Sequence, residues 1–234
     1  VTDWVYEEEF AFVRAFDWNS DGTQIAFLRF DESDVPHFSM DVYGSDLYPY
    51  GYEFKYPKAG EKNAEVSLHI FDATKASLQK VDLGENAYYI PRIKWMNHPD
   101  YLSVQVLNRH QNDLKLHSVN AKTFEVGTLL EEKDAAYVDV KDDLTFLADD
   151  SFIWTSERDG FNHIYLYNED GKLMNQITEG PWEVTHYYGY DQKEDKIYYQ
   201  SSERGSIYRD VYNIGSNGKR KKQLTSQQGT NRAD

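Results

Sequence analysis

The sequence predicts an all-β chain made of about four consecutive four-stranded units. Three observations carry that reading: a recurring unit with an aromatic anchor, a fixed step from the anchor into the next strand, and no capped segment of helical periodicity. In each unit an apolar stretch ends in the anchor and Asp, Asn or Gly turn residues follow. An apolar core position then falls seven residues past the anchor. Trp18 leads through Asn19-Ser20-Asp21-Gly22 to Ile25, and Trp95 through Asn97-His98-Pro99-Asp100 to Leu102. Phe146 leads through Asp149-Asp150 to Ile153, and Tyr190 through Asp191, Glu194 and Asp195 to Ile197. Turn chemistry between alternating apolar runs makes each of these a hairpin.

Two more strands complete each unit. Third strands are read at 68–71, 114–119, 164–167 and 211–214, and the fourth strands end at Val81, Leu129, Ile177 and Leu224. Four strands at a spacing of roughly 45 to 50 residues is the sequence pattern of propeller blades. The units run roughly over 10–84, 85–132, 133–180 and 181–227. The gap from Trp18 to Trp95 is much longer than the later gaps, which places an insertion at 31–65 inside the first unit. Closed propellers use roughly four to eight blades. The residues from Gln228 onward read as the approach to a further blade, and the chain opens Val1-Thr2-Asp3 without Met. The expectation is therefore a segment of a larger propeller.

Composition narrows the partners. Forty acidic against 25 basic side chains give a net charge of −15, which argues against nucleic acid or an anionic membrane as the main partner. A hydrophobic content of 40% with 15% aromatic residues is that of a chain with a core. There is no cysteine, hence no disulfide, no thiolate zinc site and no cysteine nucleophile. The apolar runs are too short to span a bilayer. The histidines show no metal-type pairing, so neither a metal nor a cofactor is expected. His69, His117 and His163 fall in or beside strands and read as structural. Gly44-Ser45-Asp46 and Gly205-Ser206-Ile207 lack the second glycine and the helix of a hydrolase nucleophile elbow. No catalytic residue is predicted. The basic run Lys219 to Lys222 follows Asn217-Gly218 and reads as a solvated hairpin tip.

Two stretches stand out for function. Asp3-Trp4-Val5-Tyr6-Glu7-Glu8-Glu9-Phe10 sets three carboxylates in a row among aromatic residues. In a strand, Glu8 and Glu9 would face opposite ways; in a helical turn they lie about 100° apart and converge on a compact cation. Repulsion among the carboxylates is relieved by a bound positive charge, and an ammonium brings three donors to two acceptors. A solvated acidic turn is the other reading of the same residues. The second stretch is the insertion, which carries Phe38, Tyr43, Tyr48, Tyr50, Tyr52, Phe54 and Tyr56 with Pro49 and Pro57. Tyrosine-rich surface suits an interface, and composition equally allows the insertion to fold back over its own blade.

The acidic stretch closely resembles the double-glutamate motif of the dipeptidyl peptidase IV family, serine peptidases of the prolyl oligopeptidase clan. The resemblance continues through Phe16-Asp17-Trp18-Asn19-Ser20-Asp21-Gly22-Thr23, Tyr56-Pro57-Lys58-Ala59-Gly60, Leu107-Asn108-Arg109 with Gln111-Asn112, and Gly180-Pro181-Trp182-Glu183-Val184. In the last of these, Pro181 stands where the family has Thr. The resemblance implies an eight-bladed N-terminal propeller over a C-terminal α/β-hydrolase domain that this segment lacks. It also implies an enzyme that releases dipeptides from peptide N-termini, with Pro or Ala preferred at the second position. Carried over by residue, the ammonium-binding pair falls on Glu8 and Glu9, with Glu7, Trp4 and Tyr6 in support. The family's dimerisation arm falls on the insertion, with Tyr43, Tyr48, Tyr50, Tyr52, Phe54 and Tyr56. The partners implied are peptide substrates, the chain's own hydrolase domain and a second copy in a homodimer. A tripeptide-releasing relative, or an inactive propeller used for binding, fits the same motifs. The lack of cysteine and of Asn-x-Ser/Thr sequons suits a bacterial member in the periplasm, the cell envelope or the medium.

Overall fold

A computed structural model describes residues 3–85 and 87–233, so Val1, Thr2, Asn86 and Asp234 lie outside the description. The chain opens with a short helix, α1 (Trp4–Phe10), and is otherwise built of strands. The first sheet takes β1 (Phe16–Trp18), β2 (Gln24–Asp31), β5 (Glu65–Asp72) and β6 (Ser77–Lys80) in the order β1-β2-β5-β6. Between β2 and β5 the chain leaves to form a two-stranded ribbon, β3 (His37–Val42) and β4 (Tyr50–Lys55). The second sheet comprises β7 (Tyr89–Trp95), β8 (Tyr101–Leu107), β9 (Asp113–Asn120) and β10 (Val126–Lys133). The third comprises β11 (Thr145–Phe146), β12 (Phe152–Ser156), β13 (His163–Tyr167) and β14 (Leu173–Gln176). The fourth comprises β15 (Val184–Asp191), β16 (Lys196–Ser201), β17 (Asp210–Ile214) and β18 (Lys222–Gln223). Each sheet is an antiparallel meander of four strands, the unit of a propeller blade.

The seven-residue step sets the register of the first hairpin in three sheets. Trp18 pairs with Ile25, Trp95 with Leu102 and Tyr190 with Ile197. In the third sheet Phe146 pairs with Phe152, and Ile153 faces Thr145. The first sheet also departs from the expected burial. Side chains alternate along β2, and Ala26 and Leu28 take the packed face. Ile25 is left half-buried and Trp18 is 47% exposed on the other face.

The turns are held by asparagine side chains. Asn19 Oδ1 accepts the amides of Thr23 and Gln24 at 3.0 and 2.9 Å, and Asn108 Oδ1 accepts those of Asn112 and Asp113 at 3.0 and 3.2 Å. This local capping is the reason Asn and Asp recur at these positions.

The chain divides into two compact units. One comprises residues up to Trp95 together with Pro99–Gly127 and Lys133–Val140. Its buried residues include Leu68 and Ile70 of β5, Leu102 and Val104 of β8, and Leu114 and Leu116 of β9. The other comprises Met96–His98, Thr128–Glu132 and the residues from Lys141 on. Its core gathers Ile153, Ile164, Ile177, Val184, Ile197, Tyr199 and Ile214. In the ribbon, Phe38, Phe54 and Tyr56 cluster edge-on or tilted at its base. Tyr43, Tyr48, Tyr50 and Tyr52 are exposed toward its tip.

Candidate functional site

The acidic run folds as a helix because its ends are capped. Asp3 is buried, and its Oδ1 accepts the Tyr6 amide at 2.9 Å, an N-cap that satisfies one of the orphan donors of the first turn. Burial raises the Asp3 carboxyl above its ordinary range, opposed by the amides of Tyr6 and Val5. At the other end Ala11 adopts the left-handed conformation, with φ at 47°. Its amide and that of Phe12 both donate to the Tyr6 carbonyl. Seven residues are too few to show helical periodicity, so capping is what reveals the helix.

Tyr6 fixes this helix to the second sheet. Its ring packs against Phe10, Phe12, Phe30 and Tyr89, with centroids 4.9 to 6.2 Å away. Its hydroxyl oxygen accepts the Ile90 amide at 2.8 Å. That amide is free because the β7–β8 register shifts between Tyr89 and Arg92, and Pro91 supplies no donor of its own. Burial holds the Tyr6 hydroxyl far above the usual phenol range, so it stays neutral. Arg92 adds a second tie, its Nη2 donating to the Phe10 carbonyl at 2.8 Å. Trp4 meets Tyr56 edge to face at 4.3 Å, which joins the helix to the base of the ribbon.

Glu7, Glu8 and Glu9 are all exposed on this anchored helix. Among the described residues, no Lys, Arg or His forms an ion pair with any of the three. Three adjacent carboxylates without a counter-charge form an acceptor set for a cation.

Glu9 also lines a cavity of about 770 Å³, together with Trp4, Phe38, Phe54, Tyr56 and Arg109. The structure thus gathers Trp4, Glu9, Phe54 and Tyr56 at one place. Glu7 and Glu8 lie outside that lining, Tyr6 is buried behind it, and Tyr43, Tyr48, Tyr50 and Tyr52 lie along the outer ribbon. Arg109 donates through Nη1 to the hydroxyls of Tyr88 and Tyr89 at 3.2 and 3.0 Å, and through Nη2 to the Glu61 carbonyl at 3.0 Å. Asn63 donates to the same Tyr89 hydroxyl at 2.7 Å. Sequence reasoning gave no role to Asp3, Arg92 or the Tyr89–Arg109 pair. Pro91 inside a strand was the available signal for the bulge. Arg109 becomes visible only once distant segments meet. Among the described residues, no group of three or more His, Asp or Glu could hold a metal ion. No helix among the described residues is long and apolar enough to cross a membrane.

Comparison with known proteins agrees with this architecture. The sequence profile described as the dipeptidyl peptidase IV (DPP IV) N-terminal region matches residues 1–234. A probable dipeptidyl-aminopeptidase B of Phaeosphaeria nodorum is 32% identical over 98% of this chain and 28% of its own length. A dipeptidyl peptidase 4 of Trichophyton equinum is 30% identical over 92% of this chain and 30% of its own. The crystal structure of Porphyromonas gingivalis dipeptidyl peptidase 4 superposes with a TM-score of 0.92 at 43% identity, covering 98% of this chain and 33% of that one. That of a putative dipeptidyl aminopeptidase IV from Bacteroides ovatus gives 0.77 at 26% identity, with 90% and 33% covered. The chain therefore spans about a third of the length of the proteins it resembles.

Proposed function

The chain belongs to the dipeptidyl peptidase IV N-terminal region family, and from that premise we propose that it is the propeller part of a serine exopeptidase that releases dipeptides from peptide N-termini. In this reading its task is to bind the substrate's α-ammonium on Glu8 and Glu9. The hydrolytic residues belong to a hydrolase domain carried elsewhere in the protein, and the exposed ribbon tip serves a homodimer. The observation that carries the reading is the uncompensated carboxylate run on a helix tied at both ends.

The chemistry follows from charge and distance. An α-amino group has a pKa of about 7.7 to 8.0, so a large share is protonated at neutral pH. Two carboxylates on adjacent helical positions hold that ammonium, and the rigid helix then acts as a ruler measured from the peptide's end. Tyr6, the Ile90 amide and Arg92 keep the ruler from moving.

The test is a comparison of two substrates with the natural full-length protein: a chromogenic Ala-Pro derivative and its N-acetyl counterpart. Release from the free-amino substrate alone is expected. Equal cleavage of the acetylated compound would overturn the reading, and faster release of Ala-Ala-Pro would reassign the ruler's length.

A further inference from the structure

The charges lining the cavity beside α1 are unpaired in a way the ammonium site does not explain. Arg109 spends three of its five N–H donors on neutral acceptors, two phenol oxygens and a carbonyl, and meets no carboxylate among the described residues. Lys58 also lines the cavity, with its ammonium over the Phe38 ring at 5.2 Å and no acidic side-chain partner among the described residues. Among the described residues, Glu9 is the one carboxylate in the lining and forms no ion pair with a cation. Two cations and one anion therefore border a single space without neutralising one another. The remaining wall is largely aromatic and aliphatic, from Trp4, Phe38, Met40, Phe54 and Tyr56. A site with separated charges of both signs and an apolar wall fits a small zwitterion with an apolar body. Its volume of about 770 Å³ lies in the usual range for small-ligand sites.

We propose that this cavity is a site for free dipeptides, with the ligand's ammonium on Glu9 and its carboxylate on Arg109, supported by Lys58. The proposal rests on the reading of Glu9 as an ammonium acceptor and adds to it a carboxylate end. An intact longer substrate has its carboxylate many residues away from its ammonium, so it cannot use both ends of the cavity. A released dipeptide can. The site consequently distinguishes product from substrate, and its occupation withdraws Glu9 from the next peptide. Dipeptides then inhibit in competition with substrate.

The test uses the natural full-length protein and three ligands: Ala-Pro, Ala-Pro-amide and N-acetyl-Ala-Pro. Inhibition constants are measured against a chromogenic dipeptidyl substrate, and direct binding is measured by calorimetry. Wild type is expected to bind the acid about tenfold or more tighter than the amide, as for a charge-assisted pair. Arg109→Gln is expected to reduce that preference to within about twofold. Arg109→Lys, which keeps the charge and loses the planar fork, is expected to retain part of it. Equal binding of acid and amide to wild type, or an undiminished preference in Arg109→Gln, overturns the proposal. Failure of the Glu9 reading shows separately, as equal binding of Ala-Pro and N-acetyl-Ala-Pro. Because the acid–amide comparison is made within wild type, it does not depend on how well either variant folds.

Discussion

The hydroxyl of Tyr6 accepts the main-chain amide of Ile90 across 84 positions of sequence, at 2.8 Å. One side chain thereby closes a gap in the second sheet and holds the acidic helix against it. Tyr6→Phe keeps the ring and its aromatic contacts but strands a buried amide. It should lower stability by about 1 to 3 kcal/mol in denaturant melts. An unchanged unfolding midpoint would show that the bond is not what ties the helix down.

In the proposed reading, Glu8→Ala and Glu9→Ala each remove half of the ammonium acceptor. Truncating one partner of a charged, hydrogen-bonded pair typically costs about 2 to 5 kcal/mol. Each variant of the full-length protein should therefore lose at least about a hundredfold in kcat/KM for dipeptide release. The folded spectrum should be unaltered, because both side chains are exposed. Near wild-type kcat/KM in either variant would sink the assignment.

Glu132, on β10 of the second sheet, sits at the centre of a polar cluster formed with residues of the third. It accepts from Trp154 Nε1 at 3.0 Å, Ser156 Oγ at 2.8 Å and Arg158 Nη2 at 2.5 Å, while Arg158 lies over the rings of Tyr165 and Tyr167. Glu132→Ala leaves the guanidinium without its counter-charge. Because the Arg158 side chain is 32% exposed, water replaces part of that contact, and the buried Trp154 and Ser156 donors left without an acceptor set the expected loss at about 1 to 3 kcal/mol. The double variant Glu132→Ala/Arg158→Met should recover much of that loss. Thermal unfolding of the three proteins decides between this and independent contributions.

Burial lowers the pKa of His69 and of His117 from the ordinary imidazole value of 6.5. The unfolded chain thus binds protons that the folded chain refuses. The stability carried by these neutral imidazoles is complete above 6.5 and falls as the pH drops from there toward the folded values. Urea midpoints should decline between about pH 7 and pH 5. The double variant His69→Gln/His117→Gln should flatten that slope. An equally steep decline in the variant would assign it to other groups.

The four-blade pattern was legible because each hairpin advertises itself locally. An aromatic residue, an Asn or Asp that caps its own turn, and a fixed step to the paired residue are all short-range signals. The step finds a fully buried residue at Leu102, Ile153 and Ile197, although the β11–β12 register places Phe152 opposite Phe146. It misjudged Ile25 because alternation along β2 gives the packed face to Ala26 and Leu28. The glutamates could be read from the chain, and the helix that presents them could be read in part. What stayed hidden was long-range. Arg109 and Glu9 border one cavity although a hundred positions separate them, and the loose amide of Ile90 exists only once β7 bulges against β8. Neither relation leaves a mark within a local window of residues.

The uncompensated run Glu7-Glu8-Glu9 also acts before contact. On a chain of net charge −15 it adds to a negative field that reaches an approaching cationic peptide end over about 8 Å at physiological ionic strength. Added salt should slow the encounter and leave the bond-breaking step alone. Under the proposed function, capture of the peptide end would then depend on the ionic strength of the surroundings, faster in dilute media and slower in brine.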